Sequence, residues 1–266
     1  MSSPMPLLSK SMTDSWRSTL GWAAGLCGAI LLYLPLYPSI GGGTQMQQMI
    51  NALPAEMTKA LNYEQIATGP GYVQATVFGL YGYLLMTIAT VAWGAAAVAG
   101  DEEAGQLELT LAHGVTRAQV VFERALGIAL RILVLSILVF VLVMALNGPS
   151  QLQIDAGKLA GTMALFAGLA LLSGTTALLV GALTGRKAYA LGAGAGIAVL
   201  GYLFNALGKQ SNSTEWLLNL SPYHWAYGNS PLLNGVEISA AWGLPAISAC
   251  LVLAAVVALR NRDVGN

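Results

Sequence analysis

Apolar residues recur along the chain in six long runs, at about 19–37, 72–99, 120–146, 158–184, 189–207 and 243–259, separated by more polar stretches. A helix needs roughly 20 apolar residues to cross the hydrocarbon core of a bilayer, which is the scale of these runs. They lack the alternating polar pattern of a barrel strand, and lipid offers backbone groups no outside partner, so helices are expected. The pattern predicts an all-α integral membrane protein with about six transmembrane helices, in one transmembrane domain over residues 1–266.

The connections sort by their cations. Lys10 and Arg17 precede the first run, Arg117 and Arg124 follow the second, Arg186 and Lys187 the fourth, and Arg260 and Arg262 the sixth. The opposite side receives only Lys59, Lys158 and Lys209. Cytoplasmic loops carry the excess of Lys and Arg, so both termini are expected in the cytoplasm. Residues 41–71 and 208–242 then form outer loops, and 100–119 is an inner connection.

Within residues 1–18, Leu8 and Met12 begin an i+4 stripe that continues through Trp16 and Leu20, the mark of an amphipathic segment lying on the inner membrane surface. In 41–71, Met46, Met49, Ile50, Leu53, Met57 and Leu61 follow helical steps interrupted by Pro54, which suggests two short amphipathic helices. Trp216, Tyr223, Trp225 and Tyr227 suit an aromatic belt at the outer headgroups. Glycine pairs four apart (21/25, 157/161, 181/185 and 192/196) are expected to let helices pack closely.

Composition agrees with lipid as the solvent: 56% of residues are hydrophobic and 9% charged, against about 25% charged in soluble domains. A formal net charge of zero gives no basic field for nucleic acid. Cys27 and Cys250 fall inside apolar runs and read as small buried hydrophobes. The first run exceeds the roughly 7–15 apolar residues of a signal peptide and reads as a retained span.

Motifs for catalysis are missing from the sequence. There is no G-x-x-x-x-G-K-[ST], and the lookalike at Gly181, Gly185 and Lys187 has the wrong spacing and Ala188 where a hydroxyl is needed. His113 and His224 fall on opposite sides of the membrane and cannot share a metal. Ser173, Thr175 and Thr176 have no histidine base at their depth. Arg131 is the one charge well inside a run, and it lies a heptad after Arg124, so snorkelling to the inner interface is expected. No Asp or Glu stands in the middle of a run, as an ion-driven pump would require.

The inner connection "GDEEAGQLELTLAHGVTRAQ" is the most informative stretch. Asp101, Glu102 and Glu103 are expected to open a short helix, where the dipole favours negative charge. Leu107, Leu109, Leu111 and Val115 give it an apolar side, and Gly114 and Thr116 supply a stop and a fresh start. Such a helix, displayed on the cytoplasmic face, suits docking to a partner. A membrane scaffold or sensor is one reading, and a membrane-embedded enzyme is another.

These residues carry a likeness. Ala99-Gly100-Asp101-Glu102-Glu103, Gly105, Leu107, Leu109, Leu111 and Val115-Thr116-Arg117 resemble the inner loop of ABC-2 type transporter permeases. That family typically shows Ala-Gly-Glu-Glu-x-x-Gly-x-Leu, leucines, then Pro-Val-Ser/Thr-Arg; here His113-Gly114 replaces the small residue and proline. Pro70-Gly71-Tyr72, Leu220-Ser221-Pro222-Tyr223-His224-Trp225 and Arg260-Asn261-Arg262-Asp263 extend the likeness, which looks closest to the polyketide-antibiotic exporter-like group.

The resemblance implies an ABC-2 exporter fold in the cytoplasmic (inner) membrane of a prokaryote. It implies a second permease subunit, identical or not, and an ABC ATPase (nucleotide-binding) subunit that binds the ATP and Mg, leaving no cofactor in this chain. The loop helix would couple to that ATPase through Asp101, Glu102, Glu103, Gly105, Leu107, Leu109, Leu111 and Arg117. The cargo class implied is amphipathic or hydrophobic, such as a drug, an antibiotic or a lipid.

Overall fold

A computed structural model describes residues 5–40, 52 and 66–263. Its long helices are α1 (Pro6–Tyr33, running on to Ser39), α2 (Gly69–Glu103), α4 (Arg117–Asn147), α5 (Ala156–Thr184), α6 (Lys187–Gly208) and α9 (Ile238–Asn261). All six are long and apolar enough to cross a membrane. Shorter helices are α3 (Gln106–Ala112), α7 (Pro222–Tyr227) and α8 (Pro231–Asn234), and no strand occurs among the described residues. The two helices expected in 41–71 fall on residues 41–51 and 53–65, outside the described residues.

Local chemistry sets the boundaries. Thr68, Thr116 and Asp155 each accept a hydrogen bond from the third backbone N–H of the helix that follows, at 3.1, 3.1 and 2.8 Å. Gly185, at φ +66°, closes α5 in the left-handed conformation that side chains disfavour. Within α2, two wider π-helical segments, Gln74–Tyr81 and Ala96–Gly100, flank the regular stretch Gly82–Ala95.

α5 forms the axis of the bundle: 67% of its most apolar window is buried, against 17% for α1 at the rim. α2, α4, α6 and α9 all pack on it. Close approaches use glycines inside the expected pairs, such as Gly161, whose Cβ would come 2.4 Å from Val236, and outside them. A Cβ on Gly94 would come 2.1 Å from the Gly174 carbonyl, and one on Gly194 would come 2.9 Å from the Ser173 carbonyl. Around Gly21, Gly25, Gly192 and Gly196 there is open space, so those pairs do not pack helices within this chain.

Three expectations are corrected. The amphipathic segment does not turn along the surface; it is the first part of one continuous helix, α1. Its small polar face turns inward, with Ser11 buried and Ser18 accepting from the Trp93 indole at 3.1 Å, while Trp16 and Leu20 point outward. No proline or glycine lies between Leu7 and Leu20 to break the helix. The aromatic belt is only partial. Trp216 is exposed, but Tyr223 and Tyr227 are buried edge-on to each other at 5.1 Å, and Tyr83 and Tyr202 pack edge-on against Tyr223. Cys27 is half-buried, and Cys250 lies exposed on α9 rather than inside the core.

Candidate functional site

At the end of the bundle that gathers the cations, the second span runs one turn further than its apolar run. Asp101, Glu102 and Glu103 form this last turn of α2, and the chain then reverses at Ala104 and Gly105. Gly105 has φ +68°, and its N–H donates to the Glu102 carbonyl at 2.9 Å. The three acids therefore end one helix instead of opening the next. This corrects the expected helix start and inverts its electrostatics, because the C-terminal end of a helix is its negative pole.

Each carboxylate finds compensation from a different element. Asp101 accepts from Arg124 of α4, and Glu102 pairs with Arg262, just past α9. Glu103 accepts from the backbone N–H of Lys187 at 2.8 Å, which sets it against the positive N-terminal end of α6. A Cβ on Gly185 would overlap both Arg262 and Glu102, so only glycine admits this pair beside the end of α5.

Arg117 completes the junction. Its guanidinium donates to the carbonyls of Leu259 at 2.8 Å, Arg260 at 3.3 Å and Arg262. Those groups belong to the C-terminal turn of α9, where carbonyls lack helical partners and a cation is favoured. The ends of α2, α4, α6 and α9 on this side of the bundle are thus tied by charged side chains around the base of α3.

α3 divides its leucines by environment. Leu107 is fully buried and anchors the helix, Leu111 is half-buried, and Leu109 is 63% exposed between exposed Glu108 and His113. The His113 ring donates from Nδ1 to the Leu109 carbonyl at 2.6 Å, closing the last turn. Gly114, at φ +81°, then stops α3, and Thr116 starts α4, as the sequence predicts. A groove of about 910 Å³ runs between α3, the start of α1 and α4, lined by Lys10, Asp14, Leu109 and His113 among others.

Two functional-looking contacts escaped the sequence reading. Glu123 is buried on α4 and accepts from the Leu8 backbone N–H at 2.7 Å, so it caps the start of α1. A carboxylate at the edge of an apolar run was the available signal. Arg131, expected to snorkel outward, is instead turned into the bundle. It is 92% buried (8% exposed), donates to Ser11 Oγ at 2.5 Å and lies 5.2 Å from the Trp93 ring centre.

At the opposite end of the bundle, His224 donates from Nδ1 to the Asn205 side-chain carbonyl at 3.2 Å and lines a cavity of about 560 Å³ with Trp225 and Glu237. Burial holds the imidazole below its ordinary pKa, and nearby Lys209 adds to the effect. Among the described residues, no group of three or more His, Cys, Asp or Glu is placed to hold a metal.

Comparison with known proteins returns one family. The family model described as ABC-2 family transporter protein matches residues 5–226, from the start of α1 into α7, and includes every junction residue of α2, α3, α4 and α6. No curated protein matches the chain.

Proposed function

The chain belongs to the ABC-2 family of transporter proteins, and from that premise we propose that it is the membrane-spanning permease subunit of an ATP-driven exporter. A separate ABC ATPase subunit binds ATP and Mg, and a second permease subunit completes the pathway in the cytoplasmic membrane of a prokaryote. The cargo is an amphipathic or hydrophobic molecule, in keeping with the likeness to the polyketide-antibiotic exporter-like group.

One observation carries the coupling role: α3 presents Leu109 to the cytoplasm from a base tied to α2, α4, α6 and α9. A force on a helix held this way reaches four spans at once, without passing through a flexible linker. Asp101, Glu102, Glu103, Gly105 and Arg117 then act as the frame, Leu107 and Leu111 as the seat of α3, and Leu109 as the contact. In this reading, the acids and Arg117 transmit force and do not meet the ATPase.

The test is Leu109→Asp in the full chain, co-expressed with an ATPase subunit encoded beside it. The variant is expected to insert and melt like the parent, while losing co-purification of the ATPase and ATP-driven export from vesicles. Full association and transport would remove Leu109 and α3 from the coupling role. Association with a cytoplasmic partner that supports no ATP-dependent transport would favour a scaffold or sensor instead.

A further inference from the structure

We infer that the small cavity beside Arg131 is a binding site for an oxoanion of the phosphate type, carried on an amphiphile that enters from the cytoplasmic leaflet. Arg131 stands two turns deeper along α4 than Arg124, about 10 Å at 1.5 Å per residue. The ion pairs among the described residues are Arg124–Asp101 and Arg262–Glu102, and Arg131 belongs to neither. The charge that acts most on it is Arg124, of like sign. Its Nε is buried without a hydrogen-bond partner. Its one side-chain acceptor is a serine hydroxyl, supplemented by the Trp93 ring face. Burying a guanidinium without a carboxylate is costly, and a neutral hydroxyl and an indole offset only part of that cost.

The surroundings supply what such a ligand needs. A cavity of about 190 Å³ opens beside the guanidinium, lined by Ser11, Ser15, Trp93, Arg124 and Arg131. Its volume suits a headgroup and not a whole lipid. It shares Asp14, Asp101 and Arg124 with the 910 Å³ groove that opens beside α3, so the two cavities adjoin. Two carboxylates also line the cavity: Asp101, which is held by Arg124, and Asp14, which is exposed, while Glu123 is held by the start of α1. Arginine's planar fork matches a phosphate oxygen pair. The site depends on the packing of α1, α2 and α4 and on no ATPase, so it stands or falls apart from the transport reading.

The experiment uses the full chain, stripped of lipid in a neutral detergent and titrated with phosphatidylglycerol, phosphatidylcholine or glycerol 3-phosphate under native mass spectrometry. Wild-type protein is expected to retain one phosphatidylglycerol at least tenfold more tightly than phosphatidylcholine. Arg131→Met, which removes a buried charge and keeps the chain length, is expected to fold and to lose that preference. Arg131→Lys, which keeps the charge but not the fork, should weaken it severalfold and serves as the second variant if the Met form does not fold. Competition by glycerol 3-phosphate would assign the site to the oxoanion alone, and failure to compete would assign it to the lipid-borne group. Equal retention of both lipids by the wild type, or an unchanged preference in both Arg131 variants, overturns the site. Asp14→Asn is expected to leave the preference intact; a preference that appears only in that variant would make Asp14 the partner of Arg131 and also overturn it.

Discussion

Replacing Glu102 with Gln separates two electrostatic accounts of the junction that predict opposite signs. The carboxylate sits in the last turn of α2, so neutralising it relieves about 0.3–1 kcal/mol of unfavourable dipole interaction. The same change leaves Arg262 facing a neutral amide, in a pair whose side chains are only 22% and 12% exposed. Exposed pairs contribute about 0.2–1 kcal/mol, and breaking a buried one costs about 3–5 kcal/mol. A half-buried pair falls between, at about 1–3 kcal/mol. Pairing outweighs the dipole, and Glu102→Gln is expected to destabilise the junction by about 1–2 kcal/mol net. The assay is a double-mutant cycle of Glu102→Gln and Arg262→Gln, read as apparent Tm in one detergent and as amide exchange over residues 100–105 and 259–263. The coupling should exceed about 1 kcal/mol, with faster exchange in both segments of either single variant. A more stable Glu102→Gln protein, or additive effects, would refute the pairing account and leave the acids as surface charges.

Gly105→Ala is expected to cost about 1–2 kcal/mol, because a Cβ is strained in the left-handed region, and Gly105→Pro more, because its φ is fixed near −65°; amide exchange across Gln106–Ala112 and membrane insertion measure both, with insertion unchanged. Leu107→Ala should destabilise by about 2–5 kcal/mol, since it empties a fully buried site, and should lower the apparent Tm where Leu109→Asp does not. The depressed pKa of His224 adds stability that is present above its ordinary value of 6.5 and lost as pH falls through that value toward the folded one. Apparent Tm should therefore drop between about pH 7.5 and 5.5 in the wild type, and drop less in His224→Gln.

The six spans were legible because burial in lipid leaves a plain signature, an apolar run of the right length. The structure lengthens most runs by a few residues, as when 120–146 becomes Arg117–Asn147, and the first far more, from 19–37 to Pro6–Ser39. The polarity of the acidic turn was harder to see. Acids preceding leucines signal a helix start, whereas Ala104-Gly105 signals a stop, and the glycine's left-handed backbone prevailed. The compensating cations could not be read locally, since Arg262 lies 160 residues beyond Glu102. Likewise, the later part of the i+4 stripe of α1, Trp16 and Leu20, faces outward, while Ser11 and Ser18 make polar contacts from the other side. The expectation for Arg131 came from its spacing to Arg124, and a heptad cannot show that α1 brings a serine to meet it.

The long sequence separation between Glu102 and Arg262 also has a consequence in time. At about 5–20 residues per second, a ribosome needs roughly 10–30 seconds to cover the distance between them. During that interval, the acidic end of the second span has one of its counter-charges not yet made. The contacts of Arg117 with the Leu259, Arg260 and Arg262 carbonyls form equally late. The base of α3 becomes whole only once α9 and Arg262 are in place, so the frame beneath Leu109 is closed by the element of the junction made last.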